Sequence, residues 1–155
     1  MKANLKKIGF SLMGISFPVK YILVYSGHVG LGFVISLLLY YIGSGLVFRE
    51  FYIENNKELL KSFSVVIGSY IASQIFLIFG KQSLILLLFY FFFYLLYLIY
   101  FYRFSKQYIK KTVEEFNYWF IMLLVMSFMI FDLTFLIYFY LAKVSKSLTD
   151  GSKVP

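Results

Sequence analysis

The chain has 155 residues, of which 61% are hydrophobic, 23% aromatic and 14% charged, and its mean hydropathy is +0.82. A soluble domain is about 45–50% apolar and about 25% charged, and a chain this short cannot bury so much apolar surface in a globule. Composition therefore excludes a soluble enzyme, a soluble nucleic-acid-binding domain, a disordered chain and a disulfide scaffold. It predicts an all-α polytopic membrane protein. The formal charge of +8 indicates basic loops at lipid headgroups, with no nucleic-acid partner.

Five apolar segments have the length that a helix needs to cross a bilayer. In chain order they are residues 8–26, 29–48, 62–80, 83–102 and 118–142. The first is the weakest, since it contains Pro18 and Lys20, and the alternative is that it lies at the interface or re-enters, leaving four spans. The connections are short, so we expect a single transmembrane domain over residues 1–155.

The distribution of lysine and arginine favours five spans. With five spans, ten of these residues lie on the inner side and four on the outer side, whereas four spans give eight against seven. This predicts an integral protein of the cell (inner) membrane, with the N-terminus cytoplasmic and the C-terminus outside.

Two charged residues fall inside the predicted spans, Lys20 in the first and Asp132 in the last. An unpaired charge at the bilayer centre is costly, and in this arrangement both residues lie at a similar depth. We therefore expect an intramembrane ion pair, which acts either as a clamp between the first and last spans or as a proton- or cation-linked transport site. Lys20 reaching toward the interface and Asp132 being protonated are the alternatives.

Small residues recur at helix-packing spacing in the second and third spans. They are Gly27, Gly30, Gly32 and Ser36, followed by Gly43 and Gly45, and then Ser64, Gly68 and Ala72. Such surfaces let another helix approach closely, so we expect these residues to pack against each other or against another subunit.

Two further features are candidates for ligand or redox chemistry. His28 lies in the turn after the first span, where it could cap a helix, titrate or bind haem. Tyr90, Tyr94 and Tyr97 share one face of the fourth span and either form a hydroxyl ladder for a quinone or proton or pack on a partner helix.

Catalytic signatures are absent from the sequence. There is no HExxH, no GxSxG and no phosphate-binding glycine loop, and the chain has no cysteine and one histidine. We therefore predict no catalytic residues, no metal site and no cofactor.

The expected function is that of a small non-catalytic membrane subunit or accessory protein, with the lipid bilayer and other membrane subunits or copies of itself as partners. A proton- or cation-linked transporter that uses Lys20 and Asp132 is the alternative, and a haem- or quinone-associated redox component is a weaker one.

Overall fold

The computed structural model describes residues 4–79, 83–109, 121–123, 125–126 and 133–149. Within these ranges the regular structure is entirely helical, which confirms the all-α prediction. The helices are α1 (Leu5–Tyr25), α2 (Val29–Ile53), α3 (Lys57–Phe79), α4 (Leu84–Ile109) and α5 (Thr134–Thr149), and residues 121–123 and 125–126 are also helical. The first four helices are long and apolar enough to cross a membrane, whereas α5 is shorter.

The first segment, which the sequence left open, forms one of these four long helices. The helix begins at Asn4, whose side chain accepts a hydrogen bond from the Lys7 N–H, and it continues through Pro18. Proline removes one backbone hydrogen bond, a loss that apolar helices in membrane proteins tolerate. The helix ends where Gly27 adopts a φ of 87° and the His28 N–H bonds back to the Leu23 carbonyl.

The second connection is equally short and also has a defined geometry. After α2, Asn55 adopts a φ of 53°, a left-handed conformation that asparagine tolerates better than most residues. The Asn56 side chain then accepts a hydrogen bond from the Leu59 N–H at 3.2 Å and caps α3. The polar segments on either side of this turn stay helical, so α2 and α3 extend beyond the predicted spans of 29–48 and 62–80.

The predicted span at residues 118–142 is not found as one continuous helix. Leu133 lies in a turn, and α5 begins directly after it at Thr134. With 16 residues, α5 is roughly 24 Å long, which is less than the ~30 Å hydrocarbon core. A count of five spans is therefore not confirmed, because the described part of this segment is interrupted.

The chain forms two compact units, and the first comprises residues 1–54 and 114–155. In this unit α1 packs against both α2 and α5. The Asn4 side chain donates a hydrogen bond to the Ser145 carbonyl at 2.8 Å, while Gly14 faces Phe135 and Phe139. The helix α5 therefore runs antiparallel to α1, whereas the five-span arrangement requires the first and last spans to be parallel.

The second unit comprises residues 55–113 and consists of the antiparallel pair α3 and α4. At one end of the pair the Ser62 hydroxyl donates a hydrogen bond to Gln107 Oε1 at 2.8 Å. At the other end, the rings of Phe76 and Phe93 stack with their centroids 5.2 Å apart. Aromatic packing therefore extends along this interface.

Candidate functional site

The most enclosed polar contact of the first unit joins the hydroxyls of Tyr40 and Tyr138, which lie 3.0 Å apart. Both side chains are fully buried. The ring of Phe17 packs edge-on against Tyr40 and stacks on Tyr138, at centroid distances of 6.1 and 5.9 Å. This cluster connects α1, α2 and α5, and the two hydroxyls satisfy each other in apolar surroundings.

Glycines set the closest approach between α1 and α2. A Cβ atom added to Gly9 would lie 2.6 Å from the Gly43 carbonyl oxygen, and one added to Gly43 would lie 2.6 Å from that of Gly9. Gly32 is similarly close, since a Cβ there would lie 3.2 Å from the Lys20 carbonyl oxygen. The sequence pattern includes Gly32 and Gly43 but misses Gly9 and Gly14, although these are the two glycines of α1 and glycine weakens a helix interior.

The other predicted packing residues have different surroundings. Ser36 is buried, and its hydroxyl donates to the Phe33 carbonyl at 2.9 Å. Gly27 forms the turn after α1, and no atom lies within 4 Å of a Cβ placed on Gly30. In α3, Ser64 and Ala72 are half-buried and Gly68 is exposed, with open space where its side chain would be.

Lys20 lies in the interior of α1 and is half-buried. Its Nζ is 4.5 Å from the centroid of the Phe33 ring, a distance at which the negative face of the ring attracts the ammonium group. Asp132 lies outside the described residues, so its pairing with Lys20 stays a prediction. The contact with Phe33 is a feature that sequence reasoning missed.

His28 is exposed at the residue that precedes α2, and its side chain makes no capping hydrogen bond. Among the described residues there is no group of three or more His, Cys, Asp or Glu side chains that could hold a metal ion. Within the described ranges, His28 is therefore not part of a site with three such ligands.

The three tyrosines of α4 form a continuous run of rings. Tyr90 and Tyr94 have centroids 5.7 Å apart, and Tyr94 and Tyr97 have centroids 5.8 Å apart. Tyr94 and Tyr97 are buried, and the Tyr97 ring lies 5.1 Å from that of Tyr70 in α3. This geometry agrees with packing on a neighbouring helix, which is one of the two functions that the sequence suggests for these tyrosines.

Charged side chains fix the end of the first unit at which α1 begins. Lys6 forms an ion pair with Glu54 at 2.5 Å, and its Nζ lies 5.5 Å from the centroid of the Phe51 ring. The Lys6 side chain is only 14% exposed, so this pair is less screened by solvent than an ordinary surface pair. The sequence does not reveal this contact, because its partners are 48 residues apart.

Comparison of the chain with protein-family models, with curated proteins and with solved structures finds no match. The residues and contacts described above are therefore the basis for a functional proposal.

Proposed function

We propose that the chain is a small, non-catalytic protein of the cell membrane that acts by packing against other membrane subunits or against copies of itself. The four long apolar helices support its location in a membrane. The observation that carries the packing role is the small-residue surface of α3, defined by Ser64, Gly68 and Ala72. Gly68, the middle residue of this surface, is exposed.

The two sides of α3 differ in the size of their side chains. The side that is buried against α4 carries large residues, including Phe63 and Tyr70, whose rings meet Phe104 and Tyr97. Gly68, by contrast, is exposed, and no described atom lies within 4 Å of a Cβ placed on it. Small residues let one membrane helix approach another closely, whereas contact with lipid alone does not require small residues.

A matched pair of glycine substitutions tests this role. Gly68 and Gly45 are both exposed helical glycines with open space around them, and the sequence pattern includes both. Gly45 differs because the residues one turn before and after it, Tyr41 and Arg49, are large, so it has no small-residue surface for a close helix contact. We expect Gly68→Leu to abolish the assembly that the wild-type chain forms in mild detergent, and Gly45→Leu to leave it intact. Native gel migration and chemical cross-linking in membranes measure both.

The controls for this experiment follow from the open space at both positions. A Cβ at either position meets no atom within 4 Å, so both variants should unfold at about the wild-type temperature. A wild-type chain that migrates as a monomer without other polypeptides, or a Gly68→Leu variant that assembles normally, would contradict the proposed packing role.

Transport through Lys20 is the second candidate function, and the half-buried position of this side chain within α1 favours it. In this case, vesicles containing the purified chain should show a proton flux that a pH-sensitive dye reports and that both Lys20→Gln and Asp132→Asn abolish. A purified chain that carries a visible absorption band, lost in His28→Ala, would instead support the redox role.

A further inference from the structure

The direction of α5 determines on which side of a membrane its end lies. Ser145, near the end of the helix, is hydrogen-bonded to Asn4 at the start of α1. Phe135, near its beginning, lies beside Gly14, which is close to the middle of the 21-residue α1. The helix thus begins at about half the depth of α1 and runs to the face at which α1 starts.

The four long helices place the end of α4 on that same side. Each of α1 to α4 is long and apolar enough to cross once, and an even number of crossings returns the chain to the side from which it started. The end of α4 then lies on the side to which α5 also runs. This step rests on the membrane location proposed above, but it does not require any assembly.

We propose that α5 does not cross the membrane, and that the starts of α1 and α3 and the ends of α2, α4 and α5 each lie at the anionic headgroups of the cytoplasmic leaflet. Thirteen of the 15 lysines and arginines then belong to this side of the chain. The two exceptions are Lys20, within α1, and Lys81, between α3 and α4.

This distribution of lysine and arginine is more asymmetric than in the five-span arrangement, where ten lie on the inner side and four on the outer side. Lysine and arginine next to the ends of membrane helices are retained on the cytoplasmic side. The excess of these residues therefore assigns this side of the chain to the cytoplasm. Five of the described cations on this side, Arg49, Lys57, Lys61, Arg103 and Lys106, are exposed. Such clusters beside membrane helices attract anionic phospholipids, because the cytoplasmic leaflet carries a negative surface potential.

Thiol labelling tests the side on which each helix ends. The chain has no cysteine, so each substitution introduces the only thiol. Four exposed positions serve as probes: Ser26→Cys between α1 and α2, Lys57→Cys at the start of α3, Lys106→Cys near the end of α4, and Lys143→Cys in α5. A membrane-impermeant maleimide is added to bacterial spheroplasts that express the full chain, before and after permeabilisation.

We expect Ser26→Cys to react before permeabilisation and the other three variants to react only afterwards. A Lys143→Cys thiol that reacts together with Ser26→Cys would overturn the proposal. Protection of Lys143→Cys with reaction of Lys106→Cys from outside would place the end of α4 on the opposite side, which also overturns the proposal. The fully reversed pattern would overturn the cytoplasmic assignment. If Lys143→Cys is not recovered, Lys146→Cys repeats the measurement in the same helix.

The lipid partner is tested by measuring the phosphatidylglycerol that copurifies with the chain. Lys57→Gln, Lys61→Gln and Arg103→Gln together remove three exposed cations from the proposed cytoplasmic side, whereas Lys81→Gln removes a cation from the opposite side. We expect the triple variant to lose phosphatidylglycerol relative to wild type and Lys81→Gln to retain it. Equal lipid content in all three proteins would overturn the lipid assignment. Neither labelling nor lipid content depends on the assembly that Gly68→Leu tests, so the two proposals can fail separately.

Discussion

Hydroxyl groups in the helices find partners in two ways. Most of the serines in the described helices bond to carbonyls of their own helix, as Ser16 does to Met13 at 2.6 Å and Ser73 does to Tyr70 at 2.7 Å, whereas the buried Ser105 hydroxyl has no such bond. These local bonds satisfy a polar group without joining two helices. The bond between Tyr40 and Tyr138 is different, because it links α2 to α5 across 98 residues of sequence.

The tyrosine pair should be coupled in its contribution to stability. Removing one hydroxyl, in Tyr40→Phe or Tyr138→Phe, leaves the other without this partner, so each variant should lower the free energy of unfolding by about 1–2 kcal/mol. The double variant should cost less than the sum of the two. A double-mutant cycle, measured by unfolding in mixed detergent micelles, gives the coupling.

Tyr41→Phe is the control for this cycle, since that ring is 41% exposed and lies next to Tyr40 in α2. It should change stability by less than either buried variant. Strictly additive effects of Tyr40→Phe and Tyr138→Phe would show that the hydroxyl contact does not stabilise the fold.

At the scale of helices, the close contact between α1 and α2 depends on glycine residues, which have no side chain. The carbonyl oxygens of Gly9 and Gly43 occupy the space that the other residue's Cβ would need. Close backbone approach of this kind increases van der Waals contact between membrane helices. The same substitution should therefore have opposite effects at two neighbouring glycines of α2.

Gly43→Ala should destabilise the protein by about 1–3 kcal/mol, because its methyl group would meet backbone atoms of Gly9 and force α1 and α2 apart. Gly45→Ala meets no atom within 4 Å and should be neutral or stabilising by up to about 1 kcal/mol, since alanine favours the helix. Thermal unfolding in detergent compares the two variants. Equal destabilisation by both would show that the close approach of α1 and α2 at Gly43 does not set the cost.

Sequence reasoning found the helices more reliably than their breaks and their directions. Apolar length was sufficient to predict long helices at α1 to α4, even where Pro18 and Lys20 interrupt the pattern. The turn at Leu133 was missed, because no glycine or proline marks it and its polar neighbours, Asp132 and Thr134, lie within a long run of apolar residues. Without that turn the direction of α5 could not be predicted, nor could the contacts that depend on it, such as Tyr40 with Tyr138.

Across the whole molecule, the chain leaves most of its apolar helices uncovered. Between 22% and 33% of the most apolar stretch of each long helix is buried, with the lowest value in α4. Large side chains such as Leu84 and Phe92 of α4 are 74% and 55% exposed, respectively. Acyl chains of the bilayer are the surroundings that such a surface requires.

Tryptophan fluorescence can distinguish the covered and uncovered sides of α4 at equal depth. Phe92 lies eight residues after the first residue of α4 and is 55% exposed, while Phe101 lies eight residues before the last and is fully buried. In a Trp119→Phe background, vesicles of brominated lipid should quench Phe92→Trp strongly and Phe101→Trp weakly, because quenching requires contact with the acyl chains. Both proteins should first show wild-type helix content by circular dichroism. Equal quenching at the two positions would mean that α4 does not keep one side against α3 and the other toward lipid.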